Sequence, residues 1–114
     1  MRTWGERQSL AQQARLVFKK AGYDRKGGKL NRKQQMERAC TVMDWVQRNC
    51  QIHHLGQLGG RQIVQFWKTR REWSDATRYG YWLALRQLWR LYGKPGEPPE
   101  PDELDPSSTP ATDP

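Results

Sequence analysis

The chain has 114 residues, with 20 Lys+Arg against 12 Asp+Glu and a net charge of +8. All the basic residues lie at or before Lys94, so residues 1–94 carry +14 and residues 95–114 carry −6. This length admits one small domain, and the longest apolar run, Tyr81 to Leu85, is far too short to cross a membrane.

Every Trp, Tyr and Phe precedes Pro95, and all seven prolines stand at or beyond it. Residues 1–94 are therefore expected to fold, and residues 95–114 to form a disordered Pro- and acid-rich tail. Leu, Ile, Val and Phe supply only 17 of the first 94 residues, so the core has to lean on six Trp and four Tyr. The start, Met1-Arg2-Thr3-Trp4-Gly5-Glu6, has no apolar stretch of the kind a secretory signal needs, and a cytoplasmic protein is expected.

The periodicity is helical throughout. The first helix is expected over Trp4–Ala21, opened by a Thr3/Glu6 capping box, with Leu10, Ala14, Val17, Phe18 and Ala21 as its apolar stripe and Gly22 as its stop. A loop follows over Tyr23–Leu30. Lys19, Lys20, Arg25, Lys26 and Lys29 cluster around it, where a basic segment can follow a nucleic-acid backbone.

The second helix is expected over Asn31–Gln51 with Asn31 as N-cap. Met36, Ala39/Cys40, Met43, Val46 and Cys50 step by three and four along its buried face. Trp45 falls on the opposite face beside Arg38, Thr41 and Arg48, either covered by the first helix or a loop or offered as a contact surface for a partner protein. Cys40 and Cys50 on one helix lie roughly 15 Å apart, beyond disulfide reach, which suits a reducing compartment.

Residues 52–60 read as a loop with two or three apolar anchors. A third helix over Arg61–Trp73 buries Ile63, Phe66, Trp67 and the stem of Arg70, and presents Arg61, Gln65, Lys68 and Arg71. The fourth starts at the N-cap Ser74 and stops at Gly93. Its core stripe is Trp82, Leu85, Leu88, Trp89 and Tyr92. Tyr79, Leu83, Arg86 and Arg90 form a second stripe, basic and aromatic. Gly80 and Ala84, four apart, leave room for another backbone to come close. The fold class is all-α, a compact bundle of four to five helices with a disordered acidic tail.

Catalytic and metal chemistry find little footing. No Ser/His/Asp or Cys/His constellation is visible and no carboxylate pair sits in an apolar context, so the protein is not expected to be an enzyme. Cys50, His53 and His54 fit no zinc spacing. Gly56-Gln57-Leu58-Gly59-Gly60 lacks the Lys-Ser/Thr of a phosphate loop. No metal or cofactor is expected. The excess of Arg and Lys aligned on helix faces among aromatic residues instead points to a polyanion, and nucleic acid is the expected partner.

From Asn31 onward the order of features resembles the N-terminal, SAM-like core-binding domain of phage integrases and other tyrosine recombinases. The residues that carry the resemblance are Leu58, Ile63 with Phe66-Trp67, Ser74-Asp75-Ala76-Thr77, Trp82, Leu85-Arg86 and Leu88-Trp89, closed by Gly93-Lys94-Pro95. The resemblance covers roughly residues 8–95. It implies a bundle gripping double-stranded DNA, with helices two and four nearest a groove. Thr77 would meet a phosphate at a helix N-terminus, and Arg78 and Arg86 would contact backbone or bases; Tyr79 and Arg90 are added from the stripe.

The recombinases carry a second, catalytic domain with two arginines and a nucleophilic tyrosine, for which this chain has no counterpart. Strand cleavage is therefore not expected, and an accessory role in recombination or maintenance of a mobile element would suit. A protein–protein adaptor and a helix-turn-helix regulator built on helices three and four are the competing expectations.

Overall fold

The apolar spacing sets which segments become helices, and local capping sets where they end. The computed structural model describes residues 8–23 and 30–101; the Thr3/Glu6 box and the loop lysines Lys26 and Lys29 lie outside the described residues. Helix α1 runs Leu10–Lys20. The Ser9 hydroxyl accepts the Gln12 N–H at 3.1 Å while the Gln12 side chain accepts the Ser9 N–H at 2.9 Å, a reciprocal capping box. Gly22, at φ +85°, ends it in a Schellman motif. The Tyr23 N–H donates to the Phe18 carbonyl (3.1 Å) and the Gly22 N–H to that of Lys19 (2.9 Å). The two aromatic rings bracketing this turn, Phe18 and Tyr23, meet edge to face at 5.0 Å.

Helix α2 runs Leu30–Cys50 and begins one residue before the expected cap, so Asn31 stands in its first turn. Its buried face is Met36, Ala39, Cys40, Met43 and Val46, joined by Val42. It lies along α1. The Leu10 N–H donates to the Gln47 side chain (2.6 Å), and Arg15 forms a two-pronged bond to Glu37 (2.9 and 3.1 Å). Both cysteines are free thiols on this helix, and burial pushes both up from the ordinary thiol pKa.

In the following loop all three apolar anchors, Ile52, Leu55 and Leu58, are buried around a single 3-10 turn at Leu55–Gln57. His53 and His54 are exposed. Gln13 of α1 staples the loop down, donating to the His53 carbonyl (2.8 Å) and accepting the Leu55 N–H (3.1 Å).

Helix α3, Gly60–Lys68, is shorter than expected. It stops at Thr69, whose hydroxyl donates to the Phe66 carbonyl at 2.8 Å, and residues 70–73 turn the chain towards Ser74. Helix α4 runs Asp75–Tyr92 with Ser74 as N-cap and Gly93, at φ +91°, closing it.

α1, α2, α3 and α4 enclose one core in which Phe18, Phe66 and Trp67 are fully buried and Trp82 and Trp89 nearly so. At about 25 cal/mol per Å2, a Trp hiding 150–250 Å2 contributes roughly 4–6 kcal/mol before entropy is charged. That explains how so few aliphatic residues suffice. Two residues placed in the core stripes, Ala21 and Tyr92, are exposed instead, each at a helix end where the bundle has run out of partners. No strand occurs among the described residues, and no helix there is long and apolar enough to cross a membrane.

The folded unit continues past the boundary expected at Lys94. Lys94 donates through Nζ to the Leu58 carbonyl (2.7 Å), and burial pulls its ammonium pKa down. Beyond it the chain reverses at Gly96 (φ +73°) and runs back across the bundle. The Trp82 indole N–H donates to the Pro98 carbonyl and the Trp67 indole N–H to the Pro99 carbonyl, both at 3.0 Å. Pro98 and Pro101 are buried. Proline content marked this segment as a tail; the indole donors, each needing an acceptor in a dry site, hold residues 97–101 down as a strap. Residues 102–114 lie outside the described residues.

Candidate nucleic-acid interface

The basic residues singled out from the sequence fall into two groups on the two flanks of α4. The first gathers around the edge of α2. The Arg38 guanidinium lies 5.5 Å from the centre of the Tyr81 ring and packs against Gly80, where an added Cβ would sit only 2.5 Å from an Arg38 nitrogen. The close approach permitted by Gly80 is thus taken by an arginine side chain, not by a backbone. Tyr81 stacks at a tilt on Trp73 (4.7 Å), and Arg70 lies over both Trp73 (5.1 Å) and Phe66 (4.9 Å). Trp45 meets Phe66 edge to face at 5.4 Å. The result is a continuous ladder, Arg38–Tyr81–Trp73–Arg70–Phe66–Trp45, in which each cation is followed by two rings, across α2, α3, the turn after α3 and α4.

Trp45 is half-buried in that ladder, covered by Phe66 of α3 and not by the first helix or a loop as expected. Thr41 and Arg48 flank it on α2 and are exposed. The Thr41 hydroxyl donates back to the Glu37 carbonyl (3.1 Å), and Arg48 pairs with Asp44 at 3.2 Å. Arg70, Trp73 and Tyr81 are the members of this flank that periodicity did not assign to binding. Their sequence spacing carries no signal, because the contacts that align them join α2, α3, the turn after it and α4.

The second group lies along the outer flank of α4. Tyr79 is 55% exposed with its ring 5.7 Å from that of Trp82, and the Arg86 guanidinium sits 5.0 Å over the same indole. Arg78 pairs with Asp75 (2.6 Å) and Arg90 with Glu97 (3.5 Å). The strap follows this flank from Arg90 to the start of the helix, where Arg78, Tyr79, Asp75, Ala76, Glu100 and Pro101 line one cleft. Tyr81 and Tyr79 differ by two residues, or 200° of helical turn, so a single straight duplex cannot lie on both flanks.

Thr77 is exposed at the first turn of α4. Its backbone N–H is taken by the Ser74 hydroxyl (3.1 Å), which also donates to the Thr77 hydroxyl oxygen (3.0 Å). The side-chain hydroxyl hydrogen is the donor Thr77 has left for a phosphate.

Charge separates the two flanks. Around the ladder, Arg38 and Arg70 have no carboxylate partner among the described residues, and Arg48 has Asp44 alone. On the outer flank Arg78 pairs with Asp75 and Arg90 with Glu97, Glu100 lies in the Arg78 cleft, and Arg86 rests over Trp82 with no ion pair among the described residues, so three acids offset three arginines. The buried Nε atoms of Arg70, Arg78 and Arg86 have no hydrogen-bond partner among the described residues. Each of these guanidiniums is held in place by rings or by its terminal nitrogens. Among the described residues no cluster of three His, Cys, Asp or Glu could hold a metal ion. No protein-family model, curated protein or solved structure matches the chain.

Proposed function

We propose that this protein is a non-catalytic double-stranded DNA-binding domain resembling the core-binding domain of a tyrosine recombinase. It would act in the cytoplasm as an accessory to recombination or to maintenance of a mobile element. One observation carries the reading: on the ladder flank Arg38 and Arg70 lie over aromatic rings with no ion pair to a carboxylate among the described residues, and Arg48 pairs with Asp44 alone. Guanidiniums held over rings are pre-set for phosphate oxygens; Thr41 lies at the same edge with its hydroxyl hydrogen already given to the Glu37 carbonyl.

In this reading α2 and the start of α4 meet the duplex, with Thr77 at the rim. Arg78, Tyr79, Arg86 and Arg90 form a secondary flank whose charge the strap neutralises. The test is fluorescence anisotropy with a labelled duplex at about 50 mM salt, where phosphate contacts are strongest. Saturable binding is expected, and its absence contradicts the proposal. A protein–protein adaptor role is favoured by a different feature from the Trp45 face first considered, namely the groove beneath the strap.

A further inference from the structure

We propose that the groove between α3 and α4 is a recognition site for an extended proline-rich acidic peptide. Residues 97–101 occupy it in cis, and a Pro-Pro-acid-Pro segment of another polypeptide is its ligand in trans. The floor is made by Trp67 and Trp82, and both indole N–H groups point out of the bundle at successive proline carbonyls, each 3.0 Å away. Gly60 forms one wall. A Cβ there would come within 3.2 Å of the Pro99 ring, so the absent side chain makes space for that proline.

Aromatic walls that pack proline rings while indole N–H groups bind the intervening carbonyls are how extended proline segments are read. Proline's locked φ lowers the entropy lost on docking. Charge sets the flanking residues. Glu97 reaches Arg90 at 3.5 Å, and Glu100 shares a cleft with Arg78 and Tyr79. The site thus asks for an acid before the first proline and another between the second and third.

The chain's own segment reaches the groove through the short reversal Gly93–Gly96, both of whose glycines have positive φ, and is held there by the two indole hydrogen bonds and the Arg90–Glu97 pair. A tethered ligand of that kind competes at an effective concentration of about millimolar. An outside peptide then binds only when it exceeds that concentration or when the internal segment is weakened. This site does not depend on DNA binding, and a protein that binds no DNA could still use it.

The experiment uses the full chain carrying Pro98→Gly and Pro99→Gly, titrated with the peptide Pro-Gly-Glu-Pro-Pro-Glu-Pro-Asp while its tryptophan indole N–H signals are followed by NMR. Saturable movement of the Trp67 and Trp82 signals is expected. At least tenfold more peptide should be needed for the unaltered protein, and a peptide with both central prolines replaced by Ala should fail. Equal affinity for both proteins, no saturable shift, or equal binding of the peptide with both central prolines replaced would overturn the site.

Should the double variant not fold, the unaltered chain in excess peptide serves. The backbone amides of Glu97 and Glu100 should move to their free-chain positions, and signals that stay put would refute displacement. Concentration-dependent dimerisation abolished by the same peptide would make the occupant a second copy of this chain and overturn the proposed partner.

Discussion

Replacing both Arg38 and Arg70 with Ala separates the two flanks of α4 most cleanly. Each arginine stands over aromatic rings without a carboxylate partner among the described residues. If each neutralises one phosphate, losing both reduces the slope of log K against log salt by about 1.8. Near 0.1 M salt, that is a loss of about 60-fold in affinity. The cost to folding is smaller. Cation–π contacts at partly exposed sites are worth about 0.5–1 kcal/mol each, and with three of them the double variant should lose about 1.5–3 kcal/mol and remain folded.

The matching control is Arg86→Ala with Arg90→Ala on the strap flank. It should weaken binding less than about threefold, because that flank is already balanced by acidic side chains and contributes under half of one phosphate contact. Anisotropy titrations with one labelled duplex, at matched salt and with circular dichroism to confirm folding, give both numbers. A larger loss from the second pair than from the first would refute the assignment of the ladder as the DNA face.

Neutralising the strap with Glu97→Gln and Glu100→Gln should free Arg90 yet change duplex affinity less than about threefold at 0.1 M salt, under half of one phosphate contact, because the duplex lies on the other flank; tightening of about eightfold would show that the outer flank meets DNA. Gly80→Ala should raise stability by up to about 1 kcal/mol, since alanine is the better helix former and only the mobile end of Arg38 has to move. A loss exceeding 1 kcal/mol in urea denaturation would mean that the Arg38–Tyr81 contact is rigid. The Arg15 hydrogen bonds hold the Glu37 carboxyl below the usual carboxylate range, so the stability this pair adds is present above the unfolded value near 4.3 and is lost as pH falls through the lower folded value. With both side chains part-exposed, the effect is about 0.5 kcal/mol. The gap between the protein and Glu37→Gln in denaturant should therefore close towards pH 3, and a gap that widens would reverse the sign of the argument.

The helices were legible because burial imposes its period on sequence. Met36, Met43, Val46, Ile63, Phe66, Leu85 and Leu88 could be placed in the core from spacing alone, and so could the loop anchors Ile52, Leu55 and Leu58. Helix ends were less legible. Ser9 and Ser74 both cap helices, but only Ser74 stood out, since Ser9 sits within a run that is helix-compatible on both sides.

The two features that matter most for function escaped for a physical reason. Trp67 and Trp82 were recognised as core, but a buried indole also needs an acceptor, and nothing in the sequence says that Pro98 and Pro99 supply it across 16 and 32 residues. The Arg38–Tyr81–Trp73–Arg70 ladder likewise depends on the angle at which α2 meets α4, which apolar spacing does not encode.

The salt dependence of duplex binding by the full chain tests the central claim most directly. Arg38, Arg48, Arg70 and one neighbouring cation such as Lys33, engaged with four phosphates, predict a slope of log K against log salt near −3.6. A slope shallower than about −1, or no binding at about 50 mM salt, would contradict a phosphate-gripping interface on this flank of the bundle.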